Sequence, residues 1–482
     1  MRSVVIHGHF YQPPREDPWT GVVENEPTAA PFHDWNQRIE SECYAPVASA
    51  RVLGRDGSVA YRDNLYAELS FNVGPTLFEW MEPSAPETYS AILEADKISE
   101  KTLGHGNAIA MPYHHVILPL ASRRDKVTEV RWGIADFRRR FGREPEGMWL
   151  PETAVDEETL EVLAEEGILF TILAPHQVET PPADGMPLRF RVGRKREIAL
   201  FVYDGRLSSE IAFGGLLRDG AMLARHLAPL ELREEIMLTS AAMDGETFGH
   251  HHKFGEMALA RAMRILADRD DIRIENFASF LGRNPPIDDA VLLSPSSWSC
   301  PHGVERWRSD CGCKLSPTED TSQAWRKPLR EGLDWLAEEL HEIFETEGKD
   351  LFIGDPSDVR DQAGEMIGSS EAEALAFVAD TVKRRDGARL ERAAELLEME
   401  HGVLRMFTSC AWFFDDLARI ETIQVLRYAA FAIELSGDAA RLEKGFLEYI
   451  GEATSNDPAE GTGRDIWRTH VKPHEQVDIM RA

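Results

Sequence analysis

The chain has 482 residues, 43% hydrophobic and 28% charged, a globular composition with a core too large for one ordinary domain. Its formal net charge of -30 argues against nucleic acid, anionic membranes and acidic polymers, and leaves a neutral partner unopposed. Five cysteines, three of them crowded between Cys300 and Cys313, make a poor disulfide framework and fit a reducing cytoplasm.

The opening Met1-Arg2-Ser3-Val4-Val5-Ile6-His7 has too short an apolar run for a signal peptide, and no segment reads as membrane-spanning. Ser3 to Ile6 reads as a strand ending at His7 and His9. Asn107 to Met111 reads as another, running into Pro112-Tyr113-His114-His115. Arg123 to Phe141 has Val127, Val130, Ile134 and Phe137 at helical spacing. Met148 to Leu150 follows, then a helix from about Asp156 to Glu166. Buried strands are expected at Ile168 to Leu173, Ile198 to Val202 and Ile236 to Ala242, and a helix at Gly255 to Ala267. Strands alternating with helices predict an α/β fold with a parallel sheet, here a β/α barrel with fewer than eight repeats.

The pattern changes at Gly282-Arg283-Asn284-Pro285-Pro286. An irregular segment runs to about Ser316, and the rest is helical in pattern. Leu329, Leu333, Leu336 and Leu340 recur at helical spacing, as do Leu390, Ala394, Leu397 and Leu404. Thr454 to Arg464 is rich in Gly and Asp and is expected to be loose.

Two acidic motifs carry chemistry. Gly147-Met148-Trp149-Leu150-Pro151-Glu152-Thr153 and Asp244-Gly245-Glu246-Thr247-Phe248-Gly249-His250 each follow an apolar run and put a carboxylate where a strand gives way to a loop. In a parallel barrel such positions converge on one pocket. Paired carboxylates can cleave a glycosidic bond, one attacking the sugar carbon and the other giving and taking a proton. The competing reading is that each acid caps the next helix. Spacing does not separate Asp244 from Glu246, because residues two apart on an extended segment face the same way.

His7 and His9 share one face of a strand end, either as core histidines or as site residues. With the run His250 to His252 and Asp244 they could also form a zinc set. Cys300-Pro301-His302 with Cys311-Gly312-Cys313 is a second possible set, at a spacing that fits no common zinc module. A structural zinc, a metal-free thiol loop and a loop completing a sugar site compete. The last is preferred, because Trp298, His302, Arg306 and Trp307 are stacking and hydrogen-bonding types suited to sugars.

His7-Gly8-His9-Phe10-Tyr11-Gln12-Pro13-Pro14, Trp149-Leu150-Pro151-Glu152 and Asp244-Gly245-Glu246-Thr247-Phe248-Gly249-His250 resemble, in order, the motifs of glycoside hydrolase family 57. Ser297 to Trp307 and Phe407 to Asp415 resemble an uncharacterised subgroup with a helical domain of unknown function 3536. The resemblance implies an incomplete (β/α)7 barrel over residues 1–285, then a loop segment from 286 to about 320 and a helical domain to residue 482. It implies a retaining hydrolase or transglycosylase acting on neutral α-linked glucans, with Glu152 as nucleophile and Asp244 as acid/base. His7, His9, Gln12, His114, Trp149, Glu246, Phe248, His250, Trp298, His302, Arg306 and Trp307 are the expected substrate-binding residues. No metal or cofactor is expected. Two alternatives stay open. One is a metal-dependent barrel hydrolase resembling polysaccharide deacetylases or α-mannosidases, although the first motif lacks the aspartate those enzymes place beside their N-terminal histidine. The other is a non-catalytic glucan-binding or regulatory protein.

Overall fold

The computed structural model describes residues 2–54, 56–229, 236–316 and 318–472. Residues 473–482, the end of the expected helical domain, lie outside them. The chain divides into two compact units, each assembled from several segments. The first is Met1–Gln12, Asn25–Pro112 and Phe137–Trp298, and the second is Pro13–Glu24, Tyr113–Asp136 and Ser299–Ala482.

Six strands organise the first unit: β1 (Arg2–Phe10), β2 (Ser70–Val73), β3 (Phe170–Leu173), β4 (Leu188–Val192), β5 (Arg196–Val202) and β6 (Leu238–Asp244). All nine residues of β1 are buried, as expected of a strand with parallel neighbours on both edges. β6 and β2 are those neighbours. From β2 the order continues through parallel bridges, Phe71 with Ala108, Ala110 with Met148 and Gly147 with Phe170, to β3 and β5. The segments expected at Asn107 to Met111 and Met148 to Leu150 are therefore barrel positions held by isolated bridges. Counting them, seven parallel segments follow this order among the described residues, and a further short strand, Ile272–Ile274, pairs in parallel with the start of β1. Between β5 and β6 the ladder is interrupted. The edge of β5 carries β4 antiparallel, and beyond the end of β5 the Asp204 N–H reaches Ser240 O at 2.8 Å. This is an incomplete (β/α)7 barrel.

Helix α1 (Arg123–Phe141) has the expected bounds. The Asp156 side chain accepts from the Thr159 N–H and starts α2 (Glu157–Glu165), which buries Leu160, Val162 and Leu163. Helix α3 (Gly255–Ala267) buries Leu259, Ala262, Met263 and Leu266 on one stripe.

In the second unit, α4 (Arg326–Leu351) buries Leu329, Leu333, Leu336 and Leu340 as the spacing predicts. Helix α5 (Gly387–Arg405) departs from expectation. Its buried stripe is Ala393, Leu396, Met399 and Val403; of the four expected positions Leu404 is buried, while Leu390, Ala394 and Leu397 are half-buried. Two overlapping apolar stripes exist on this helix, and a buried polar group decides between them. Glu400 accepts from Arg360 Nη1 at 2.7 Å and pairs with His341 Nδ1 at 3.0 Å, so its face must turn inward. Nor is Thr454 to Arg464 loose. Thr454 bridges Thr462, the Ser455 N–H reaches Gly461 O at 2.9 Å, and Ser455 Oγ reaches Asp416 at 2.9 Å. Helices α6 (Ile420–Leu435) and α7 (Ala439–Ile450) complete the main packing. Among the described residues no helix is long and apolar enough to cross a membrane.

Candidate active site

Strand register sets the site. On β1, His9 stands opposite Asp244 of β6 on one side and Asn72 of β2 on the other. Asn72 is fully buried and joins the two histidines. His7 Nε2 lies 3.1 Å from its Oδ1, and its Nδ2 lies 2.9 Å from His9 Nδ1. Ser70 Oγ takes the other side of His7, at 3.0 Å from Nδ1. With the amide donating to His9 Nδ1, the His9 proton sits on Nε2. Burial lowers the pKa of His7 to about 3 and of His9 to about 4, so both rings are neutral at physiological pH. Trp149, itself buried, stacks against both rings at centroid distances of 4.8 and 5.2 Å. The histidines are thus rigid neutral hydrogen-bonding groups.

Glu152 sits on a strained turn. Its φ is 57° and that of Thr153 is 48°, both left-handed, and for a β-branched threonine this is a true outlier. The surroundings over-determine the turn. Buried Gln177 donates to Thr153 O at 2.7 Å and pairs with Thr153 Oγ1 at 2.9 Å. The Trp298 N–H holds Glu152 O at 3.0 Å, and the Trp298 indole N–H donates to Glu152 Oε2 at 2.9 Å. One carboxylate oxygen is therefore oriented by a tryptophan that meets Trp149 edge-on at 5.2 Å.

The second motif brings two more carboxylates. Asp244 is exposed to solvent at the end of β6. Desolvation, then the charges of Glu246 and Glu152, raise its pKa well above the usual carboxylate range. Gly245 is required between the acids, since a Cβ there would lie 2.2 Å from the Phe10 ring. Glu246 is buried and accepts from the Tyr44 hydroxyl and, at 3.3 Å, from the Tyr11 N–H. Burial still outweighs those bonds and raises its pKa to about 7.

Neither motif acts as a helix cap. Asp156 caps the helix after the first, Asp244 makes no side-chain cap bond, and Phe254 precedes α3.

The raised pKa of Glu246 has a consequence for stability. Its neutral form is favoured by the fold, so its contribution is fully present below the ordinary value of 4.5 and is lost as pH rises through about 7. Glu246→Gln, which can still accept from Tyr44 and stays uncharged, should raise the melting temperature at about pH 8 and change it little at about pH 4. Thermal melts across pH measure this, and equal shifts at both ends would contradict it.

Of the other expected residues, Gln12 approaches Glu246, and its Nε2 donates to Tyr11 O at 3.0 Å. His250 is half-buried, its Nδ1 2.5 Å from Glu42, and the backbone N–H groups of His250 and His251 close onto Glu246 O at 3.0 Å. His252 bonds Ala212 O at 2.7 Å, so the histidine run points to separate partners. Phe248 is fully buried and packs the core; a sugar-contacting role for it is withdrawn.

Four expectations fall in the second unit. His114 is buried there, with Nδ1 on Glu129 at 2.9 Å. Arg306 is buried over the Phe413 ring at 4.1 Å, and Trp307 is fully buried. All three are buried within that unit. His302 joins Cys300, Cys311 and Cys313 in one cluster whose ligand atoms lie within 4.8 Å of one another. Side chains so grouped could hold a metal ion, as in the structural-zinc reading of this loop.

Asn72, Tyr44 and Tyr203 were not expected. Tyr203 is buried at the end of β5, its pKa raised by burial and by the charge of Asp244. Asn72 had a usable signal, a polar residue inside the apolar run Ser70-Phe71-Asn72-Val73 that ends at Gly74-Pro75. Tyr44 had none.

Residues 60–287 match glycosyl hydrolase family 57, and residues 322–481 match a domain of unknown function, DUF3536. An α-amylase from Pyrococcus horikoshii is 23% identical over 248 residues, 48% of this chain and 37% of that protein. The match therefore spans little more than a third of that relative's length. The fold is similar to an exo-type maltose-forming amylase from Pyrococcus sp. ST04, with a TM-score of 0.73 and 16% identity over 93% of this chain and 82% of the other. A branching enzyme from Thermococcus kodakaraensis aligns with a TM-score of 0.56 and 15% identity over 98% and 95% of the two chains. A 4-α-glucanotransferase from Thermococcus litoralis gives 0.55 and 15% over 90% and 59%. At these identities the likeness is one of fold.

Proposed function

From a chain that carries a glycosyl hydrolase family 57 domain, we propose a retaining glycosidase or transglycosylase acting on neutral α-linked glucans. One observation carries the reading. Three carboxylates lie at the C-terminal ends of the barrel segments, and one of them, Asp244, has its pKa raised by desolvation and by the charges of Glu246 and Glu152, which suits a proton donor. Glu152, oriented by Trp298, attacks the anomeric carbon as Asp244 protonates the departing glycosidic oxygen. The glycosyl-enzyme on Glu152 is then opened by water or a sugar hydroxyl, whose proton Asp244 accepts. His7, with both ring nitrogens taken by Ser70 and Asn72, acts as a positioning residue, and neutral His9 is the one of the pair suited to hydroxyl recognition. Whenever Glu246 ionises, its charge beside Asp244 disfavours ionisation of that acid. The net charge of -30 does not repel an uncharged glucan, and free cysteines suit a cytoplasmic site of action.

The test is incubation with maltooligosaccharides, glycogen and a panel of α-linked disaccharides, with chromatography of the products and NMR of the first anomer released. Retention of configuration is expected. New longer chains identify a transferase, and shorter ones alone identify a hydrolase. Inversion would overturn the role of Glu152, and binding without turnover on every substrate would favour a glucan-binding protein.

A further inference from the structure

The segment from Ser299 to Trp325 has almost no regular secondary structure, yet it holds three of the five cysteines. Within it Cys300 Sγ lies 3.9 Å from Cys311 Sγ and 3.8 Å from Cys313 Sγ, and Cys313 Sγ lies 3.6 Å from His302 Nδ1. These separations are far beyond a disulfide bond of about 2.05 Å. These three match edges of a zinc tetrahedron, and all four ligand atoms lie within 4.8 Å of one another. Ligands about 2.3 Å (sulfur) and about 2.05 Å (nitrogen) from a central zinc stand roughly 3.8 Å apart for two sulfurs and roughly 3.6 Å apart for sulfur and nitrogen.

We propose that Cys300, His302, Cys311 and Cys313 form a structural zinc site that clamps this segment of the second unit.

Three further observations support it. First, Cys300 Sγ accepts hydrogen bonds from the backbone N–H groups of His302 and Arg306, the kind of donation that stabilises a metal thiolate. Second, the backbone is shaped to bring ligands round a point. Gly312, between two of the cysteines, has a φ of 79°, and nothing lies within 4 Å of where its Cβ would be, so the chain reverses freely there. Third, the charge balances. Zinc with three thiolates and a neutral imidazole carries one net negative charge. Arg326 is fully buried, interacts with Cys311 and Cys313, and donates from Nη1 to Cys313 O at 2.8 Å. Its Nε and Nη2 have no hydrogen-bond partner among the described residues. A buried guanidinium needs a counter-charge, and the zinc centre supplies one.

Four protein ligands leave no open position, so the ion is structural. A thiolate-rich tetrahedral set selects zinc over magnesium, calcium or manganese. Cys300 is buried while His302 is exposed, which leaves an entry path for the ion. The site is independent of the glycosidase reading, because none of its residues takes part in that chemistry.

The full-length chain, expressed with zinc in the medium and dialysed against metal-free buffer, should contain one zinc per chain by elemental analysis. Cobalt exchange should give the visible bands of a tetrahedral ion and a thiolate-to-cobalt charge-transfer band. The Cys311→Ser/Cys313→Ser variant should lose the ion, and Cys43→Ser/Cys410→Ser should keep it. If the first variant fails to fold, the wild-type count and the cobalt spectrum decide. Wild-type protein without zinc, a disulfide linking Cys300 to Cys311 or Cys313, or a zinc lost in His7→Ala/His9→Ala but kept in Cys311→Ser/Cys313→Ser would each overturn the proposal.

Discussion

Glu152→Gln should lower turnover on maltooligosaccharides by about 10⁴-fold or more, and no glycosyl adduct should form. The amide has the same shape, so it should keep the left-handed turn at Glu152 and still accept from the Trp298 indole, and the protein should melt like the wild type. What it loses is the attacking oxygen. Because the loss is of a bond-forming atom, better leaving groups should not restore the rate. Steady-state kinetics with natural and activated glycosides, together with intact-protein mass spectrometry, measure both parts. A residual rate above about one per cent of wild type would mean that Glu152 only orients the substrate.

Asp244→Asn should behave differently. Its rate on maltooligosaccharides should fall by about 10²- to 10⁴-fold, the range for loss of a general acid. Substrates with very good leaving groups should be largely spared in the first step, since such groups depart without a proton. The glycosyl-enzyme should then accumulate, because no base is left to activate water. Azide is already an anion and needs none, so adding it should restore turnover and yield a glycosyl azide of the substrate's own anomeric configuration. Azide should do nothing for Glu152→Gln. Rescue of Glu152→Gln instead, with an adduct on Asp244, would exchange the two roles. If neither substitution affects activity, both acids are bystanders and the proposed site is wrong.

Much of this site is written locally. An apolar run followed by a turn marks a strand end, and the side chains just beyond it converge in any parallel barrel. Glu152, Asp244, His7 and His9 all lie at or just beyond such strand ends, and the apolar spacing at Leu329, Leu333, Leu336 and Leu340 marks a helix that the structure shows as Arg326–Leu351. Local pattern is silent where packing chooses between local options. Trp298, Trp307 and Arg306 sit within ten residues and are all plausible sugar contacts by type. Only Trp298 is held against Glu152, while Trp307 and Arg306 are buried in the second unit. On the helix Gly387–Arg405 two apolar stripes overlap, and the buried pairing of Glu400 with Arg360 selects the one that the spacing did not.

By itself, then, the sequence determined the barrel class, the helical second region and the two loops that bear the acids, because each follows from periodicity and turn residues close together in the chain. The tertiary structure alone decided how those acids differ. Glu246 meets Tyr44 across 202 residues of sequence, and Asn72 links two histidines 63 and 65 residues away. Such partners leave no local pattern, and it is their burial and charge that separate Asp244 from Glu246. The cysteine cluster obeys the same logic: its residue types were visible, but whether four ligand atoms can surround one ion depends on distances that spacing along the chain does not set.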